Sequence, residues 1–199
     1  MLSMIKAVIF DLNGIFIQAP KLSKRIEKDF GVPVGEFFSG LSQIMDKVRQ
    51  PGAGNSFQYW EPVLGKWGVE LSEQEFWDYW FGAETVSDKM VDIAKELKSK
   101  GVKVFVLSNN FKERAEYYGH YGWMNSVVDK AYFSWHSGFI KPDPRAWLHV
   151  LSENELQPEE CIYFDDQEKN VKSAESVGIK SFVFTDELSV QKILHDTLD

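Results

Sequence analysis

Four short stretches of this 199-residue chain carry side chains able to do chemistry: Asp11-Leu-Asn-Gly14, Ser108-Asn-Asn110, Lys141-Pro-Asp-Pro144 and Asp165-Asp166. Between them they offer carboxylates, carboxamides, a hydroxyl and an amine. Singly, each has a plain structural reading. Asp165-Asp166 and Ser108-Asn109-Asn110 can cap the helices that follow them, Lys141 can be a solvated loop residue, and Asp11-Leu-Asn-Gly14 can be a turn. Brought to one place they mean something else. Three carboxylates on one edge repel one another unless a cation joins them, and an all-oxygen ligand set suits magnesium.

The elements that would have to position them are legible. Ile5–Phe10, Val102–Leu107, Cys161–Phe164 and Lys180–Phe184 are short apolar runs rich in β-branched and aromatic residues, as in strands covered on both faces. Lys130–Trp135 is a further extended stretch. Helical patterns lie between them. Ser87 caps a helix carrying Met90, Ile93, Ala94 and Leu97 on one face. Asp143-Pro144 supplies an N-cap and first-turn proline before Trp147, Leu148 and Leu151, and Val171, Ala174 and Val177 form another stripe closed by Gly178. A further helix is expected over Phe111–Tyr121. Strands alternating with helices predict an α/β fold, a doubly wound, Rossmann-like parallel sheet. Ligands of such sheets bind beyond the carboxyl ends of the strands, where all four stretches fall.

Residues 16–86 break the alternation and read as helices only, over roughly 21–30, 35–48, 56–67 and 72–81. Ser72 and Glu75 fit a capping box, and Phe76, Trp77, Trp80 and Phe81 recur at helical spacing. The expected organisation is therefore an α/β core over 1–15 and 87–199 with a helical cap, 16–86, inserted after the first strand. The cap's aromatics are expected to pack its own bundle rather than cage a substrate. Lys47, Arg49, Asn55 and Tyr59 flank the Gly/Pro-rich loop Gln50–Asn55, the part of the cap best placed to face a cleft, although such residues are commonly plain surface.

Composition narrows the function classes. A formal net charge of −8 disfavours sequence-independent binding to nucleic acid or to anionic membrane. No apolar run nears the roughly 18 residues of a membrane span, and Ile5–Phe10 ends abruptly at Asp11 instead of continuing as a secretory segment. One cysteine, Cys161, leaves no internal disulfide, and four scattered histidines lack ligand spacing. A reduced, cytoplasmic protein without nucleic-acid or membrane partners is expected, as monomer or homodimer.

Together, Val8-Ile-Phe-Asp-Leu-Asn-Gly14, Val106-Leu-Ser-Asn-Asn110, Gly138-Phe-Ile-Lys-Pro-Asp-Pro144 and Ile162-Tyr-Phe-Asp-Asp166, with Asn170-Val171 and Gly178-Ile179 beyond, resemble the haloacid dehalogenase superfamily along nearly the whole chain. The flavour is that of its small-capped branch, which includes the phosphatase domain of soluble epoxide hydrolase and bacterial sugar-phosphate phosphatases. The resemblance implies a Mg²⁺-dependent hydrolase acting on a small phosphorylated metabolite. Asp11 would be the nucleophile that forms an aspartyl-phosphate. Ser108 and Asn109 would hold phosphoryl oxygens, and Lys141 would pair with both Asp11 and the phosphoryl group. Asp11, Asp166 and the backbone carbonyl of Asn13 would bind Mg²⁺ directly, with Asp165 close by, behind them or through water.

Asn13 departs from the pattern, since phosphatases of this superfamily carry a second aspartate there as general acid and base. A carboxamide orients groups but exchanges no proton near neutral pH. Ile15 is a milder change, where threonine or valine is usual, and His136, where relatives often have glutamate, is assigned no role. Three readings of Asn13 follow: a phosphatase of weak or unusual activity, suited to good leaving groups such as acyl phosphates; dehalogenase-type chemistry; or a phosphate- and Mg²⁺-binding protein without turnover. The paired aspartates 165 and 166 weigh against the second, and the complete remaining set against the third.

Overall fold

The computed structural model describes residues 4–120 and 122–198. Its strands are β1 (Ala7–Phe10), β2 (Ile17–Gln18), β3 (Thr85–Val86), β4 (Lys103–Ser108), β5 (Lys130–Phe133), β6 (Cys161–Asp165) and β7 (Lys180–Val183). Five of them form one parallel sheet in the order β5-β4-β1-β6-β7. This is the expected Rossmann-like α/β architecture. β1 lies at its centre, with Phe10 in register with Val106 on one side and Phe164 on the other. Parallel pairing puts the last residues of β1, β4 and β6 on one edge, so Asp11, Ser108 and Asp165 emerge together.

The continuous apolar character of β1 follows from burial on both faces. Val8 and Phe10 belong to one apolar cluster and Ala7 and Ile9 to another, as the two-residue period of a strand requires. The first cluster is covered by α5 (Asp88–Ser99), which buries Met90, Val91, Ile93, Ala94 and Leu97, and its Ser87 cap accepts a hydrogen bond from the Met90 N–H at 3.4 Å. The second is covered by α9 (Arg145–Glu153), with Trp147 fully buried against Tyr163. α9 begins one residue later than a Pro144 first turn would give. Pro144 itself is the N-cap, and the Asp143 carboxylate accepts the Arg145 N–H at 2.9 Å.

Between β2 and β3 lie α1 (Leu22–Phe30), α2 (Val34–Val48), α3 (Phe57–Lys66) and α4 (Glu73–Phe81). The expectation of helices alone over residues 16–86 is corrected here. β2 and β3 pair antiparallel across the base of the helical segment, and Phe16 and Ile17 pack in the sheet's own cluster. An isolated Ile17-Gln18 is too short and too irregular in pattern to announce a strand before its partner is known. The aromatics behave as expected: Trp60, Phe76, Trp77, Trp80 and Phe81 are buried in a third cluster, with Trp77 stacked on Phe81 at 5.3 Å. Phe111 joins that cluster from the sheet side, tying the helices to the strand edge.

α4 starts on a complete capping box: Glu75 N–H to Ser72 Oγ at 3.4 Å and Ser72 N–H to Glu75 Oε2 at 2.9 Å. Ser72→Ala is expected to cost about 1 kcal/mol, read from the midpoint of urea unfolding. An unchanged midpoint would show that α4 is held by its aromatic face alone. The remaining helices are α6 (Lys112–Gly119), α7 (Gly122–Val127), α8 (Ser134–Ser137), α10 (Glu168–Ser176) and α11 (Glu187–Leu198). The helix expected to run to Tyr121 ends at Gly119, and Tyr121 lies outside the described residues. No helix among the described residues is long and apolar enough to cross a membrane.

Candidate active site

Asp11, at the end of β1, and Asp165, at the end of β6, are buried, and Asp166 follows at the exposed rim. Each offers a carboxylate oxygen within 4.8 Å of the others. The register that pairs Phe10 with Phe164 makes this approach unavoidable, because each chain continues one residue further in the same direction. Gly14, at φ +92°, lets the loop after β1 turn back under Asp166, and a Cβ there would stand 2.8 Å from Asp166 Oδ2.

Lys141 reaches this edge from the loop before α9. Its buried amine lies 3.0 Å from Asp11 Oδ1 and 2.7 Å from Asp165 Oδ2, and donates to Tyr163 Oη at 3.1 Å. The loop is pinned by Asn109, whose side chain donates to the Lys141 carbonyl at 2.7 Å and accepts the Lys141 N–H at 2.8 Å. Asn109 is therefore a brace for Lys141 rather than a helix cap, and α6 has no side-chain cap.

The three carboxylates differ in environment. Asp165 accepts from Lys141, from Tyr163 Oη, from the Gln167 N–H at 2.8 Å and from Asn170 Nδ2 at 3.0 Å. Burial opposes its charge, but Lys141 and these donors outweigh it and hold its carboxyl below the ordinary value. Asp11 lacks such a set of donors. Its Oδ1 lies 3.0 Å from the Lys141 amine, and burial pushes its carboxyl up, against Lys141 and the Leu12 N–H and with the help of Asp165. Asp166 is pushed up to about 6 by burial and by the charges of Asp11 and Asp165. Lys141 thus relieves only part of the mutual repulsion of the three carboxylates, and a small divalent cation would relieve the rest.

Asp11, Asn13, Ser108, Asn109, Lys141 and Asp166 all line a polar cavity of about 350 Å³. Asp165 lies beneath it, buried behind Lys141. Of the four residues flanking the cap loop, Arg49 reaches this cavity, whereas Lys47, Asn55 and Tyr59 do not line it. His136 lines a separate hollow with Tyr132 and His149.

Asn13 is fastened into a chain of hydrogen bonds that the sequence did not announce. Its Nδ2 donates to Tyr118 Oη at 2.8 Å, and its Oδ1 accepts from Asn110 Nδ2 at 3.1 Å. The Tyr118 hydroxyl in turn donates to Glu84 Oε2 at 2.6 Å, and Glu84 pairs with Arg114. Burial holds the Tyr118 hydroxyl well above its usual value, so it stays protonated. Tyr118 and Glu84 carry no local motif of their own, whereas Asn110, Tyr163 and Asn170 lie within motifs that do not announce their hydrogen bonds. Their involvement follows from positions brought together over separations such as 105 residues between Asn13 and Tyr118.

The model of the haloacid dehalogenase-like hydrolases matches residues 5–178. The sesquiterpene phosphatase astK of Aspergillus oryzae is 28% identical over 195 residues, covering 92% of each chain. The D-ribitol-5-phosphate phosphatase of Bacteroides thetaiotaomicron is 23% identical over 194 residues, covering 90% of this chain and 91% of its own. Further curated relatives are longer, and the match spans 34–38% of their length. A haloacid dehalogenase family enzyme of Bacteroides thetaiotaomicron, solved with magnesium and inorganic phosphate, superposes with a TM-score of 0.75 at 20% identity, covering 91% of this chain and 94% of its own. With a family model running from before β1 to the end of α10, on the topology and edge just described, the chain belongs to the haloacid dehalogenase-like hydrolases.

Proposed function

We propose that the chain is a Mg²⁺-dependent phosphatase of small phosphorylated metabolites, working through an aspartyl-phosphate on Asp11. The observation that carries this reading is the carboxylate set Asp11, Asp165 and Asp166 with one buried lysine at the mouth of a polar cavity. The donor set fits magnesium: all oxygen and close together. Asp11, Asp166 and the Asn13 carbonyl would hold the ion, with Asp165 behind them. When bound, it supplies charge neutralisation at the phosphoryl oxygens.

The chain's own groups then divide the work. Asp11 lines the cavity with its carboxylate held by Lys141 at 3.0 Å, which positions it as the nucleophile. Its oxygen bonds to phosphorus as the ester bond breaks, and the leaving group departs with the electron pair. Lys141 stands where it can pair with Asp11 and then with the phosphoryl oxygens, and Ser108 donates from the end of β4. Water then cleaves the aspartyl-phosphate. Asn13 supplies no proton in either step, so leaving groups that depart without protonation, such as acyl and aryl phosphates, are favoured. The helical segment over the edge would act as the cap that closes the cavity. That the Asn13 side chain, although it lines the cavity, is tied to Tyr118 and Asn110 favours a second reading, a Mg²⁺- and phosphate-binding protein with no useful turnover.

The test is hydrolysis of an acyl phosphate and an aryl phosphate with and without Mg²⁺. Magnesium-dependent release of phosphate supports the enzyme, whereas binding of phosphate with Mg²⁺ but without release selects the second reading. Neither binding nor release would remove both. The acidity of Asp166 adds a pH signature. Below about pH 6 the ion must displace its proton, so apparent Mg²⁺ affinity is expected to fall about tenfold per pH unit there and to level off above. A flat calorimetric affinity from pH 5 to pH 7.5 would exclude Asp166 as a ligand.

A further inference from the structure

The cavity over Asp11 is lined by four cations, and three of them have an evident occupation. Lys141 is held by Asp11 and Asp165, Arg114 is paired with Glu84, and Lys169 stands in solvent on α10. Arg49 is different. It is half-buried at the C-terminus of α2, its Nε is buried without a partner, and its side chain makes no ion pair or hydrogen bond among the described residues. Its position is not accidental slack in a loop. The turn that follows it rests on the segment carrying Lys141, so closely that a Cβ on Gly138 would meet Pro51 Cγ at 3.4 Å. Burial and the neighbouring Arg114 disfavour its charge, and Asp11 and Asp46 favour it from beyond ion-pair distance without cancelling that effect. A guanidinium kept partly desolvated beside another cation, with no carboxylate in direct contact among the described residues, gains from an arriving anion.

Resting on the phosphatase reading, we infer that Arg49 is a specificity residue that binds a second anionic group of the substrate, a carboxylate or a further phosphate, while the scissile phosphoryl group sits at Asp11. The phosphoryl group would not need Arg49, because Lys141, Ser108 and the ion would meet its oxygens. The planar fork of Arg49, which lines the cavity, matches a carboxylate or phosphate in a two-pronged contact through its terminal nitrogens. The substrate class is therefore a phosphoric ester or anhydride carrying a further anion on the same small molecule, sized to a cavity of about 350 Å³.

Binding of phosphonates, which cannot turn over, tests this independently of catalysis. Calorimetry with Mg²⁺ compares ethylphosphonate with phosphonoacetate and with methylenediphosphonate, in the wild type, Arg49→Gln and Arg49→Lys. The wild type is expected to prefer one of the two doubly anionic ligands over ethylphosphonate by about 10–100-fold, the range for a hydrogen-bonded charge. Phosphonoacetate in that role would identify a carboxylate, and methylenediphosphonate a second phosphate. Arg49→Gln should erase the preference and Arg49→Lys retain part of it, at matched thermal melting temperatures. No preference in the wild type, or a preference that survives in Arg49→Gln, overturns the inference. Arg49-dependent binding without hydrolysis of any phosphate would leave the subsite standing and remove the phosphatase reading instead.

Discussion

Asp11→Asn is expected to abolish phosphate release while leaving a protein that is at least as stable as the wild type in the absence of metal. The loss should be on the order of 10⁴–10⁶-fold in kcat, because the nucleophile that splits the reaction into two steps is gone and no neighbour can replace it. Asp165 is fully engaged with Lys141, Tyr163, Gln167 and Asn170, and Asp166 stands at the rim. The stability half of the expectation comes from linkage. The folded protein holds the Asp11 carboxyl above its ordinary value, chiefly through burial, so ionising it at neutral pH works against the fold. Removing that charge relieves its repulsion with Asp165, and Lys141 keeps its 2.7 Å contact with Asp165. The metal-free melting temperature of Asp11→Asn should therefore equal or exceed that of the wild type at pH 8, and the difference should narrow as pH falls toward the Asp11 pKa. The rise in melting temperature on adding Mg²⁺ should shrink, since one ligand is weaker. Full turnover in Asp11→Asn would show that another group attacks phosphorus. A metal-free variant that melts well below the wild type would show instead that the Asp11–Lys141 pair holds the edge together.

The contrast between what sequence revealed and what it hid follows from the range of the interactions. Parallel strands announce themselves, because burial on both faces leaves no polar alternation: Ala7–Phe10 and Cys161–Asp165 are buried throughout. The carboxylate edge was legible for the same reason, since every strand of a parallel sheet delivers its carboxyl end to one side. Asp11, Ser108, Asp165 and Asp166 are legible because they sit at or directly after strand ends, and Lys141 because its motif follows the extended stretch that becomes β5, although α8 and a loop intervene. The pair β2 and β3 could not. Two residues on each side have no period to read, and only the return of the chain after α4 makes them a ribbon. Tyr118 and Glu84 were hidden for a related reason. Tyr118 sits on α6 and Glu84 just after α4, and each looks like an ordinary helix-end or loop residue until the fold sets them 2.6 Å apart beneath Asn13. Arg49 flanks the cap loop along with Lys47, Asn55 and Tyr59, but sequence does not say which of the four turns inward.

Asn13→Asp is expected to raise kcat/KM for an alkyl phosphate by about 10²–10⁴-fold, the usual contribution of a positioned acid or base, and to change an acyl phosphate far less. The asymmetry is the informative part. An alkoxide needs a proton to leave, whereas a carboxylate leaving group does not, so a gain confined to poor leaving groups identifies proton transfer as the missing function. The surroundings of residue 13 decide whether the new carboxyl can serve. In the wild type the Tyr118 hydroxyl gives its proton to Glu84 and offers a lone pair to the Asn13 Nδ2–H. An ionised aspartate would set a carboxylate oxygen against that lone pair. Either the aspartate keeps its proton, which suits a general acid, or Tyr118 turns its proton away from Glu84, which still has Arg114. Asn110 remains to donate to the other oxygen, as it does now at 3.1 Å. A raised carboxyl acting as general acid should appear as an alkaline limb of kcat moved to higher pH, a shift that is lost in Asn13→Asp combined with Tyr118→Phe. If Asn13→Asp instead leaves alkyl phosphates untouched, the Tyr118–Glu84 network fixes residue 13 away from the leaving group. In that case the asparagine belongs to a site built to bind phosphate and hold it.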